Sequence, residues 1–239
     1  MVKVKLLAYT PDPEKVVAAA AKLCYSKADI DTIMDGLTDE KITKFLSALV
    51  ERGHMSPFEH ASFTFGIEDV SRSFLAQISR HRIASLSVQS QRYVHDNFGA
   101  VVPEAIKENA GCNEIYKQTI ESLYNIYDGL TESLQTQYIS NGMDAKAAEK
   151  KATEDARYIL PNAACTKMIV TMNARELLHF FNLRCCKHAQ WEIRAVADEM
   201  LRQVKKVAPT IFKNAGAPCV SGPCPEGKFS CGHPRKGQQ

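Results

Sequence analysis

Long apolar runs are missing from this 239-residue chain. No stretch approaches the roughly 20 apolar residues that a membrane helix needs. The amino terminus, Met1-Val2-Lys3-Val4-Lys5-Leu6-Leu7, lacks the apolar core and cleavage site of a signal peptide, so the expected location is the cytoplasm and no membrane partner is expected. Neither sign of charge is in excess: 30 Lys and Arg stand against 27 Asp and Glu, a net +3. That is too mild for a protein that grips duplex nucleic acid, although clustered cations could still hold a small polyanion. No G-x-G-x-x-G follows a predicted strand, which argues against a Rossmann nucleotide site. Internal repeats are absent. The eight cysteines, at 24, 112, 165, 185, 186, 219, 224 and 231, are scattered, and without a secretion signal most read as buried or free thiols in a reducing compartment.

What is present suits a soluble globular protein of one domain or slightly more. Val4, Leu6 and Ala8 alternate with Lys3 and Lys5, which predicts a first strand. Pro11-Asp12-Pro13 opens an alanine-rich helix, and Thr38-Asp39-Glu40 opens a second that ends near Gly53. Ala61, Phe63, Phe65 and Ile67 alternate with Ser62, Thr64 and Glu68, the clearest strand pattern in the chain. A short helix is expected next, with Val70, Phe74, Leu75 and Ile78 on one face and Ser73, Gln77 and Arg80 on another. Residues 111–141 predict a long helix with two seven-residue rows, Tyr116-Leu123-Leu130 and Ile120-Tyr127-Leu134, suited to a core or subunit contact. Asp144 caps a helix running to about Arg157, a strand covers 164–172, and helices cover about 174–186 and 190–207, the last with Ile193, Val196, Ala197, Met200, Leu201 and Val204 as an apolar stripe. The fold class is α/β of the α+β type, a mixed sheet with long helices. The expected division is a catalytic domain over 1–214 and a Gly/Pro/Cys-rich tail over 215–239. Cys219, Cys224, Cys231 and His233 in the tail are soft metal ligands, but their C-x4-C-x6-C-x-H spacing lacks the C-x2-C knuckle of zinc sites, so no metal is expected.

The densest chemical signal is Arg80-His81-Arg82, followed by Ser85, Ser87, Ser90 and Arg92. On a continued helix Arg80 and Arg82 would diverge by about 200°. A chain that turns here could send them to different groups, and a loop of hydroxyls, backbone amides and guanidinium suits phosphate. The plain alternative is a solvated basic helix end.

The spacing favours the first option. Arg-His-Arg, then seven residues, then Ser90 and Arg92-Tyr93, resembles the signature of the flavin-dependent thymidylate synthases. Three further segments resemble that family in order: Gly53-His54-Met55-Ser56-Pro57-Phe58-Glu59-His60, then Asn173-Ala174-Arg175-Glu176-Leu177, then Asn182-Leu183-Arg184 with His188-Ala189-Gln190-Trp191-Glu192-Ile193. Ser87 and Val88 stand where members often carry Asn and Glu, which leaves main-chain contact at position 88. The resemblance implies an enzyme that converts deoxyuridylate (dUMP) to thymidylate (dTMP), with 5,10-methylenetetrahydrofolate as carbon donor, FAD reduced by NADPH, and no cysteine nucleophile. It implies FAD contacts from Ser56, Arg80, His81, Arg82 and Val88, and from Asn173, Arg175 and His179 of a second segment, often of another subunit. It implies dUMP contacts from Gln77, Arg80, Ser90, Arg92, Arg157 and Arg184, with Arg184 also catalytic through ionisation at the pyrimidine N3. It further implies a homotetramer with sites shared between subunits.

Local spacing agrees with these roles. Gln77 and Arg80 are three apart and Arg175 and His179 four apart, each pair on one helix face, whereas Arg184 falls opposite Arg175. Plain readings stand beside them: His179, among Leu177, Leu178, Phe180 and Phe181, as a core histidine; His54 and His60 as caps; His188 as a structural hydrogen-bond partner; Arg157 as a helix-end cation favoured by the dipole. Cys185 and Cys186, adjacent on a helix, point in different directions and make poor nucleophile candidates. The rival function is a non-enzymatic nucleotide- or RNA-binding protein using the 80–92 stretch. Only Tyr93 supplies a stacking ring beside that stretch, and single-strand recognition wants aromatics interleaved with charge, so no nucleic-acid polymer is expected as partner.

Overall fold

The computed structural model describes residues 2–95 and 98–235; Met1 of the amino-terminal reading and residues 236–239 of the tail lie outside the described residues. The protein is of the α+β class, with an antiparallel four-stranded sheet in the order β1-β2-β4-β3. The strands are β1 (Lys3–Tyr9), β2 (Ser62–Ser71), β3 (Ala84–Val88) and β4 (Cys165–Asn173). The helices among the described residues are α1 (Pro13–Leu23), α2 (Ile30–Asp35), α3 (Asp39–Glu51), α4 (Arg72–Ile78), α5 (Glu104–Glu108), α6 (Ala110–Ser140), α7 (Ala145–Ala156), α8 (Ala174–Arg184) and α9 (Trp191–Val207). The chain packs as two units. The first takes the residues up to Ile67, Gln77–Ser87 and those from Ile169 onward; the second takes Glu68–Ala76 and Val88–Met168.

In the first unit the period-two pattern of β2 decides the core. Ala61, Phe63, Phe65 and Ile67 are fully buried, while Ser62 lies exposed. The α9 stripe expected from spacing is buried at every position named for it. On the same helix, Gln203 accepts from the Leu6 amide (2.6 Å) and donates to the Val4 carbonyl (2.8 Å). The side-chain amide thereby occupies backbone groups that an edge strand would otherwise present to another chain. Phe63, Phe212, Phe181 and Phe180 form a run of edge-to-face ring contacts that ends on His81. Gly53, at φ 70°, turns the chain out of α3 into a conformation that side-chain-bearing residues avoid. The tail is tied down: the Arg235 guanidinium forks onto the Asp198 carboxylate (2.6 and 2.8 Å) and donates to the Cys185 carbonyl (2.6 Å).

The second unit is built on the α6–α7 hairpin. Asp144 caps α7 by accepting from the Lys146 and Ala147 amides, as its position predicted. Tyr124, Tyr127 and Ala156 are the buried centre, flanked by Phe98, Ile120, Leu134, Ile159 and Leu160. Only one of the two expected α6 rows therefore faces this core throughout. Leu130, third in the other row, is exposed, and Thr131 takes the buried place beside it. A straight helix drifts about 20° per heptad, which rotates the third member of a seven-residue row away from the packed face.

Other expectations need correcting. Residues 84–88 form strand β3, not a loop, because Ser85 and Ser87 alternate with Leu86 and Val88 and can sit in a sheet. Val70 belongs to β2, so the following helix starts at Arg72. The short helices α2 and α5, of six and five residues, carry too little periodicity to be expected.

Candidate active site

Helix α8 carries the most organised group, within the first unit. Asn173 caps it by accepting from the Glu176 amide (2.9 Å). Glu176, Phe180 and Arg184 follow at four-residue steps, so they stack along one face. His81 lies against that face. Its ring meets Phe180 edge-on with centroids 4.9 Å apart, its Nδ1 is 3.1 Å from Glu176 Oε1, and its Nε2 accepts from Arg184 Nε at 3.1 Å. Because Nε2 is the acceptor, the ring proton sits on Nδ1 and donates to the carboxylate. His81 and Glu176 are both buried. Burial, first, holds the His81 imidazole below its ordinary value of 6.5; Glu176 opposes this, and the charges of Arg184 and His179 add to it.

Arg175 and His179 project from a different side of α8. Both are exposed, so the core-histidine alternative for His179 does not hold. The reason is register: His179 falls between the buried Leu177 and Phe180 positions. Arg175 pairs with Glu59 of the 3-10 turn Ser56–His60, both about half exposed (53% and 48%), an ion pair of small net worth. Ser56, His54 and His60 are exposed around that same turn.

The three basic residues after α4 do diverge. The helix stops at Ile78, and the Arg80 and His81 amides close onto Gln77 O (3.3 Å) and Ile78 O (3.0 Å). His81 points inward, while Arg80 and Arg82 are exposed. The single face expected for Gln77 and Arg80 is therefore replaced by a turn, with Arg80 just beyond the helix end. Burial, and then the like charge of Arg80, lower the pKa of Arg184.

The second unit holds its own group. Val88 ends β3, and the Gln89 amide bonds Lys167 O. Ser90 Oγ accepts from the Arg92 amide (3.1 Å), setting the turn that presents Arg92. Arg92 donates to Glu154 (2.9 Å). Arg157 caps the end of α7, half-buried. Arg72, unremarked in the sequence, donates to Gln89 O (3.0 Å), and its buried Nε has no partner among the described residues; its pKa is lowered by burial and then by the charge of Arg157. In both units a guanidinium is thus perturbed by another guanidinium, an arrangement that an anion would relieve.

Sequence reasoning missed Glu176, Glu59, Glu154 and Arg72. For Glu176 the signal was available: it lies eight residues before Arg184, on the same face. A cavity of about 390 Å³ opens beside Arg184, but tail residues such as Cys219, Cys224 and Cys231 line most of it, and no other expected site residue does. Among the described residues no group of His, Cys, Asp and Glu is arranged to hold a metal ion, and no helix is long and apolar enough to cross a membrane. Cys185 is buried, which pushes its thiol far up and suits packing rather than attack.

The fold is of the α+β class, and each unit carries a guanidinium crowded by another. A family model described as "Thymidylate synthase complementing protein" matches residues 5–210. The flavin-dependent thymidylate synthase of Clostridium tetani is 56% identical over 232 residues, covering 97% of this chain and 93% of its own. Those of Geobacter sulfurreducens (50% over 233 residues, 96% and 94% covered) and Pyrococcus furiosus (40% over 238 residues, 95% and 90% covered) are similar along nearly the same span. The chain belongs to the flavin-dependent thymidylate synthase family, and it is an enzyme.

Proposed function

We propose that this enzyme makes dTMP by reductive methylation of dUMP, with 5,10-methylenetetrahydrofolate as carbon donor and FAD reduced by NADPH. The observation that carries the reading is Arg184: a half-buried guanidinium, held by Nε and crowded by a like charge, on a motif of the family. Among the described residues no carboxylate pairs with it, and a pyrimidine ionised at N3 beside a nucleotide phosphate supplies that charge. Arginine suits the task because it stays charged and sits as a fixed cation where negative charge develops. Gln77, Arg80, Ser90, Arg92 and Arg157 are the further dUMP ligands. Arg92 would have to leave its half-buried pair with Glu154 to reach the substrate.

The donor set fits a flavin dinucleotide. Arg80 and Arg82 are exposed cations, Ser56 is an exposed hydroxyl, and Arg175 and His179 stand exposed on one side of α8. Asn173 uses its Oδ1 in the cap, which leaves its amide NH2 as the group directed to the cofactor. Val88 contributes through its main chain. When bound, the reduced flavin supplies the hydride, and no cysteine nucleophile is needed. We further assign catalysis to residues 1–214, with 215–239 as an appended tail, and a cytoplasmic homotetramer as the working form.

The test is direct. Purified protein supplied with FAD should show a flavin spectrum, oxidise NADPH faster when dUMP is present, and form dTMP when methylenetetrahydrofolate is added. Absence of both bound flavin and NADPH oxidation overturns the proposal.

A further inference from the structure

Every polar atom of the His81 ring is already engaged inside the first unit. Nδ1 meets Glu176 at 3.1 Å, Nε2 meets Arg184 Nε at 3.1 Å, and the ring is buried against Phe180. A side chain so engaged has no nitrogen with which to meet a flavin. We infer that Glu176 and His81 are positioning residues: the carboxylate holds the proton on Nδ1, the Nε2 lone pair holds Arg184 by its Nε, and the two terminal nitrogens of Arg184 are left to face the substrate. With its amide bonded to Ile78 O (3.0 Å), position 81 then meets the flavin through its main-chain carbonyl.

The geometry makes each part necessary. Arginine can rotate about its long side chain, and the energy of a fork is realised only when its plane is fixed. Binding through Nε fixes that plane and spares the outer edge. An imidazole accepts at Nε2 only while that nitrogen is unprotonated, and the tautomer is set by what the other nitrogen meets. A carboxylate is acceptor only, so Glu176 selects the Nδ1–H form; a neutral amide could donate instead, move the proton to Nε2, and set two donors against each other. The one face of α8 holds all three partners at four-residue steps, and the aromatic run from Phe63 to Phe180 backs the ring. The same relation is known for metal-bound histidines, where an outer carboxylate orients the ring and its loss typically costs about 10- to 100-fold.

This rests on the assignment of Arg184 to dUMP, and the experiment separates the two. Wild-type dTMP formation judges the assignment by itself. The relay is judged by a double-mutant cycle of Glu176→Gln and Arg184→Lys, read as single-turnover dTMP formation at saturating dUMP with flavin content per subunit measured alongside. Glu176→Gln should lower turnover roughly 10- to 100-fold with flavin retained. In the Arg184→Lys background, which has no Nε–H, the same change should have almost no further effect. Additive losses, or flavin loss as the main result, overturn the relay while leaving dTMP synthesis intact. Wild-type protein labelled with 15N-histidine supplies a second, activity-free measurement, with the His81 signals assigned by their loss in His81→Gln. Near neutral pH they should report a proton on Nδ1 and none on Nε2. The opposite tautomer, or an imidazolium, overturns the relay whether or not the protein makes dTMP or the Glu176→Gln and Arg184→Lys variants fold.

Discussion

At the scale of the residue, α8 divides its labour by side. Arg175 and Arg184 are nine positions apart, half a helical revolution, and their surroundings differ accordingly: one is exposed against Glu59, the other half-buried against His81. Arg184→Lys keeps a charge but loses the planar fork. We expect methyl transfer to fall about a hundred- to a thousand-fold, equivalent to ~2.7–4 kcal/mol for one lost charge-stabilising donor, with FAD content nearly unchanged. Arg175→Ala should do the reverse and shed flavin first. Flavin absorbance per subunit and single-turnover dTMP formation check the pair; near-normal turnover in Arg184→Lys would show that the ligands are divided wrongly. His81 makes a second residue-scale prediction. Its folded pKa lies below the ordinary 6.5, so the unfolded chain takes up a proton first as pH falls. Its contribution is undiminished above about pH 6.5 and is lost as pH drops from there toward the lowered folded value. In urea unfolding of the flavin-free protein between roughly pH 7.5 and pH 5, His81→Gln should show a flatter acid slope, by at most about 1.4 kcal/mol per pH unit. Equal slopes would mean that His81 is not a buried neutral ring.

Among the elements, legibility followed period and length. Strand β2 and helices α8 and α9 were plain because each repeats its apolar spacing over many residues against a core. Strand β3 was hidden because its outward serines resemble loop residues and its five positions give little alternation to read. The Leu130 row misled because seven-residue spacing matches a straight helix only over a short distance. The candidate site residues stand in ordered motifs, but the partners that the structure gives them do not: Glu59, Glu154 and Arg72 reach their contacts across long stretches of chain or through backbone geometry. Glu176 is the exception, since its spacing to Arg184 is local. Caps are also local, and one offers a clean test. Asp144 holds the amides of Lys146 and Ala147 at the start of α7. Asp144→Ala should cost about 1 kcal/mol, within the range for lost caps, seen as a lower thermal midpoint without a change in flavin content. A midpoint equal to that of the parent would mean that the cap is replaced by water at no cost.

For the whole molecule, the proposed homotetramer would let different copies supply one site. The proposed flavin ligands come from two stretches, Ser56 with Arg80 to Arg82 and Val88, and Asn173 with Arg175 and His179. Several large apolar side chains, among them Ile115, Ile126 and Leu130 on α6, lie exposed on the single chain, as a surface that meets another copy would. If the two stretches serve one flavin from different subunits, a defect in each can be separated by mixing. Arg80→Ala and Arg175→Ala should each be poor in flavin and in activity when alone. Co-expressed, they form mixed oligomers in which about one site in four receives both intact arginines on random assembly. Flavin content and dTMP formation should then rise well above either parent, and sedimentation should give the same oligomer as the unaltered protein. If both stretches act within one chain, every site in the mixture carries a defect and no activity returns. A fully active monomer in sedimentation would exclude shared sites by a second route.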